Sequence, residues 1–170
     1  MKYFFAFLFL MITAFVQAQK NIPATDQLTI EGRVKTPRSF SLKEAAGFTA
    51  ISIDSVVITN HLLQKRNTIR QVKGILLKDL LNTVTIESPG PKELSEYYIA
   101  CIASDNYTVV FSWNELFNTD TGNHVLLLTE KDGLKGAAMP DRIALISPSD
   151  YATGRRFVKG LKKIVIEKVP

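Results

Sequence analysis

The chain has 170 residues, 46% of them hydrophobic, and carries 21 Lys and Arg against 16 Asp and Glu, a net charge of +5. That length suits one ordinary domain with a real core, and so mild a positive balance argues against a nucleic-acid partner. Cys101 is the only cysteine, which excludes an internal disulfide, so the fold must hold by packing alone.

The N-terminus reads MKYFFAFLFLMITAFVQAQK, one lysine followed by an apolar run from Tyr3 to Val16 and then small residues in V-x-A order at Val16-Gln17-Ala18. Basic start, apolar middle and small-residue end define a secretory leader, with cleavage expected after Ala18. The run falls short of the about 20 apolar residues that a spanning helix needs. The expected organisation is therefore a leader over residues 1–18, a polar flexible segment over 19–27, and one domain over 28–170. The mature protein is expected in the periplasm or outside the cell, with no membrane partner once the leader is removed.

Leu28, Ile30 and Val34 alternate with polar residues and predict a strand that Pro37 ends. In SLKEAAGF, Ser41 and Glu44 have capping-box spacing, predicting a short helix stopped at Gly47. Ile51 to Ile58 predicts a strand with a slip in its alternation. Residues 60–71 are polar and basic and read as a loop, followed by Val72-Lys73-Gly74 and a two-turn helix in ILLKDLL. Residues 87–96 hold Pro89, Gly90 and Pro91 and read as a loop.

YYIACIAS is the strongest strand pattern. Asp105-Asn106 then marks a tight hairpin, because both residue types tolerate a left-handed backbone, and YTVVF returns. SWNEL repeats the capping box with Ser112 and Glu115. HVLLLTE, RIALIS and VKGLKKIVIEK predict three further strands, the last closing the chain. The count of seven or eight strands and about three short helices, without long alternating helices, predicts a single mixed α+β domain rather than a doubly wound parallel sheet.

Nothing in the chain matches a phosphate-binding glycine loop, a nucleophile elbow or a metal-ligating histidine pair. His61 and His124 stand far apart, and Cys101 sits between apolar neighbours, where a thiol is normally a small hydrophobe. Two basic groups remain: Arg155, Arg156, Lys159, Lys162 and Lys163 near the end, with Gly154 and Gly160 among them, and Lys65, Arg66 and Arg70 after His61. Arginine forks suit phosphate and glycine admits a ligand to the backbone, so the two groups predict an anion pocket if they face one another, and solvated surface if they do not.

The ordered set LTIEGRV, FSLKEAAGF, VVITN, VKGILLKDLL, ASDNYTVVFSWNEL, VLLLTEKDG, RIALISPSDY and RRFVKGLKKIVIE resembles the molybdopterin-binding domain of the sulfite oxidase family of oxidoreductases, over nearly the whole of residues 28–167. The resemblance implies that fold, a strand-rich α+β domain around a pterin-cofactor cleft. It also implies that a cysteine after the strand matched by VVITN supplies a thiolate to molybdenum. Here that region offers Thr59, Asn60 and His61 and no cysteine, and a hydroxyl or amide replaces a soft thiolate poorly. Basic residues do remain at Arg142, Arg155, Arg156 and Lys159, and the resemblance implies that such residues hold the pterin phosphate.

The expected site is therefore Asn60, His61, Arg142, Arg155, Arg156 and Lys159, with molybdopterin as the implied cofactor and no catalytic or metal-binding residue assigned. The expected function is a non-catalytic module for a pterin-type or other anionic small molecule, or an accessory to a redox partner protein. The alternatives are an active molybdenum oxidoreductase with atypical ligation, and a structural or protein-binding domain.

Overall fold

A computed structural model describes residues 22–170. The leader expected over residues 1–18 lies outside them. Eleven strands and two short α-helices are described: β1 Gln27–Gly32, β2 Arg38–Ser41, β3 Ala50–Thr59, β4 Lys65–Leu76, α1 Leu77–Leu81, β5 Tyr97–Ala103, β6 Thr108–Ser112, α2 Trp113–Phe117, β7 Leu126–Lys131, β8 Leu134–Lys135, β9 Ala144–Ile146, β10 Val158–Lys159 and β11 Leu161–Lys168. Short 3-10 turns complete the set, and the architecture is the α+β class expected. No described helix is long and apolar enough to cross a membrane.

The strands form two sheets. One has the order β2-β1-β11-β5-β6; the other has the order β10-β9-β7-β4-β3, with β8 paired to β7. All pairings are antiparallel except β1 with β11. The main core is built from alternate residues of the first sheet, such as Leu28, Ile30, Ile99, Cys101, Phe111, Ile164 and Ile166, closed by Leu77, Leu80 and Leu116 of the helices. A second core lies on the far side of β7 and β9, where Leu126, Leu128, Ala144 and Ile146 meet Val56, Ile58, Ile69 and Val72 of the β3–β4 hairpin. β7 and β9 are thus buried on both faces, which is why LLL and ALI carry no polar alternation.

Several local expectations need correction. Lys65 to Gln71 is not loop but the first part of β4, paired with β3 along its length. Its polarity reflects exposure, since only Ile69 and Val72 face the second core. The closing segment is not one strand: Gly160 divides it into β10 and β11, which belong to different sheets. Gly160 has φ +60°, and a Cβ there would lie 2.5 Å from the Pro23 carbonyl. Only glycine fits both demands.

Residues 22–27 are pinned rather than free. Thr25 is buried and its hydroxyl donates to the Leu161 carbonyl at 2.8 Å, while Ser104 Oγ donates to Pro23 O at 2.6 Å. Glu44 does reach back to the Ser41 N–H at 2.9 Å, but the segment it opens is a single 3-10 turn, Glu44–Gly47. Four residues are too few for an α-helix to take hold.

Candidate functional site

An open cleft of about 760 Å³ runs between β6 and the segment joining β9 to β10, lined by Tyr107 to Val110, Glu115, Ser149 to Ala152, Arg155 and Arg156. Ligand pockets commonly span about 300–1,000 Å³. The joining segment is held at both ends. Ser147 Oγ donates to Asp150 Oδ1 at 2.7 Å. Thr153 seals the free edge of β3, its hydroxyl accepting from Thr59 N–H at 3.0 Å and donating to Val57 O at 2.7 Å. Gly154 sits against the Thr59 carbonyl, where a Cβ would approach to 2.3 Å.

Arg156 anchors the cleft wall. Its Nε and Nη2 donate to Asp150 Oδ2 and Oδ1 at 2.7 and 2.6 Å, and Nη1 donates to Glu115 Oε1 at 2.9 Å. The guanidinium also lies over the Phe111 ring, 4.3 Å from its centroid. These hydrogen bonds, those to Asp150 first, push its pKa further up, so it is charged at every accessible pH. Glu115 is placed by the complete capping box of α2: Ser112 N–H donates to Oε2 at 3.0 Å, and Ser112 Oγ accepts from Glu115 N–H at 3.0 Å.

Arg155 differs from its neighbour. It is exposed at the cleft lip, its carbonyl accepts from the Tyr107 hydroxyl, and its guanidinium has no ion pair among the described residues. Two carboxylates and one guanidinium leave the wall with one net negative charge, which Arg155 offsets. The cleft is polarised, with a cation at its lip and carboxylates along its wall.

The other expected residues lie elsewhere. β9 and β10 run antiparallel, which puts Arg142 and Lys159 at the end of β9 away from the cleft. Arg142 pairs with Asp26 and lines a separate pocket of about 530 Å³. Lys159 lies over the Phe157 ring, 5.3 Å from its centroid. Asn60 closes the β3–β4 turn, its Oδ1 accepting from the N–H groups of Leu62 and Gln64 at 2.9 and 3.0 Å. His61 is exposed in that turn. The two basic groups do not enclose one pocket: Lys65 pairs with Thr59 on one side of β3, and Gly154 covers its other side.

Glu115, Asp150, Tyr107 and Tyr151 line the cleft and were not singled out from sequence. The S-x-x-E box did mark Glu115 as fixed, but nothing local ties it to an arginine 41 positions on.

Cys101 is fully buried in the main core, and desolvation pushes its thiol up to about 12. It cannot present a thiolate to a ligand at neutral pH. Thr59 and Asn60 spend their polar atoms on the β3 edge and turn. Among the described residues no three His, Cys, Asp or Glu side chains gather in a metal-ligating group. This donor set does not fit a molybdenum centre of the thiolate-ligated kind. The cleft does offer an organic anion one arginine fork.

No family profile matches the chain, and no curated protein does. Among solved structures, the fold is similar to that of the sulfane dehydrogenase SoxCD from Paracoccus pantotrophus, with a TM-score of 0.64 at 15% sequence identity. The likeness covers 88% of this chain and 41% of that one, so the chain spans well under half of the enzyme's length. At this identity the relationship is one of fold, and a distant one.

Proposed function

We propose that this protein is an exported binding module on the sulfite oxidase-type molybdopterin fold, without a catalytic metal centre. It takes a pterin-type or other anionic heterocycle in the cleft between β6 and the 147–156 segment. The observation that carries this reading is the contrast between neighbouring arginines: Arg156 is consumed by Asp150 and Glu115, while the Arg155 guanidinium at the lip has no ion pair among the described residues.

Arg155 holds the anionic group of the ligand through two parallel N–H donors. Glu115, 37% exposed, keeps lone pairs free to accept from ring or exocyclic N–H groups. Tyr107 flanks the ring body. A ligand with an anion at one end and N–H donors at the other matches that polarity, and a pterin phosphate is of this kind. The fold supports the pterin, and the donor set supports its binding without molybdenum. Should the protein serve a redox partner, this ligand would be the element shared with it.

The test is purification from a host that makes the cofactor, with metal analysis and pterin fluorescence after oxidation. Pterin without stoichiometric molybdenum is expected, and Arg155→Ala should lose it. Molybdenum at one per chain would overturn the reading in favour of an active oxidoreductase. Absence of both would leave a structural or protein-binding domain.

A further inference from the structure

Two leucines stand together at the tip of the β3–β4 hairpin, Leu62 at 62% and Leu63 at 60% exposure. The tip is rigid. Besides the two backbone bonds to its Oδ1, Asn60 donates through Nδ2 to Gln64 Oε1 at 2.9 Å. Leu63 holds φ +60°, a left-handed conformation that a bulky side chain adopts only at a cost. Such strain gathers where a segment is used. Tyr151, 93% exposed, belongs to the same end of the molecule, because its carbonyl accepts from Thr59 Oγ1 at 3.2 Å.

Cations collar these apolar groups. Lys65 pairs across the strands with Thr59, and Arg66 is next along β4; both are exposed and have no acidic partner among the described residues. The chain has no Asp or Glu between Asp54 and Asp79, so no carboxylate stands in the half of the hairpin nearest its tip. A solvated hairpin requires neither the paired leucines nor an undiluted basic collar.

We propose that this tip is a peripheral membrane contact, seating Leu62, Leu63 and Tyr151 in the headgroup layer of an anionic bilayer while Lys65 and Arg66 bind lipid phosphates. Interfacial anchors combine these same features: apolar side chains, an aromatic at headgroup depth, and basic residues drawn to anionic lipid. Shape favours lipid over protein, since one convex hairpin tip falls far short of the about 800 Å² per partner of a stable protein interface. A surface contact needs no spanning segment, which is why hydropathy along the chain gives no sign of it.

The test places an environment-sensitive fluorophore at the tip through Leu62→Cys; buried Cys101 does not compete for the label. A blue shift is expected on phosphatidylcholine vesicles containing phosphatidylglycerol, little on phosphatidylcholine alone, with reversal by salt. In co-sedimentation with all chains in the same N-terminal form, Lys65→Glu with Arg66→Glu should lower partitioning onto the anionic vesicles about tenfold or more. Leu62→Asp with Leu63→Asp should abolish it. All four positions are exposed, so the unfolding midpoints should stay unchanged. A label that remains in water on both vesicle types, or a charge-reversed protein that sediments like wild type, overturns the proposal. So does a shift produced only by lipid-free envelope protein, which would make the tip a protein contact.

Discussion

Arg156 grips Asp150 with both arms of its fork, at 2.7 and 2.6 Å, across six residues of the turn that forms one wall of the cleft. The two side chains are only 21% and 15% exposed, so the pair is shielded from water on most sides. Removing the arginine strands both Asp150 and Glu115. Arg156→Ala should therefore cost about 3 kcal/mol in urea unfolding. Arg156→Lys, which keeps the charge and loses the fork, should recover only part of that. Arg155→Ala, by contrast, should stay within about 0.5 kcal/mol of wild type. Equal losses at the two positions would refute the division of labour between them.

Glu115 links that ion pair to the cap of α2, so the two should not behave as independent parts. Ser112→Ala should cost about 1 kcal/mol on its own. Combined with Arg156→Ala, the loss should fall short of the sum by about 0.5 kcal/mol or more, because each single variant already loosens the placement of Glu115 that the other interaction relies on. A double-mutant cycle by denaturant unfolding measures the coupling, and strict additivity would sever the link.

Cys101 should make the fold alkali-sensitive. The unfolded thiol gives up its proton near 9.0, while the buried one keeps it to about 12. Within that window the unfolded chain binds fewer protons, so the contribution is intact at lower pH and is lost as pH rises. Stability followed from pH 8 upward should fall more gently in Cys101→Ala than in wild type, whatever the cavity costs at neutral pH. The native thiol should also resist thiol reagents until the protein unfolds.

Gly160→Ala and Gly136→Ala separate a tight passage from a mere turn. Both glycines have positive φ, +60° and +50°, but a Cβ at Gly160 meets the Pro23 carbonyl at 2.5 Å, while Gly136 has nothing within 4 Å. Gly136→Ala should cost about 1 kcal/mol from backbone strain alone, and Gly160→Ala clearly more, as lower thermal midpoints.

Strands that alternate were plain in the sequence. β5 buries every second residue from Tyr97 to Ala103, and Asn106 takes the left-handed backbone that its turn demanded. The α2 cap was equally legible, because a capping box is complete within four residues. β4 was not: its outer half pairs with β3 through backbone bonds and exposes its side chains, leaving no apolar period to read. The break at Gly160 was hidden because both flanking segments mix apolar residues with lysines and short-range pattern carries no information about which sheet each one joins. The cleft escaped for a related reason. Its charge pattern depends on Glu115 meeting Arg156 from 41 positions away, and only the fold tells the arginine in that ion pair from its neighbour at the lip.

β11 follows the other described strands in sequence, yet it occupies the centre of its sheet, parallel to β1 on one side and antiparallel to β5 on the other. Until Leu161 to Lys168 are available, β1–β2 and β5–β6 are two hairpins with no seam between them. The main core therefore closes only when a segment far along the sequence slots between two hairpins made long before it.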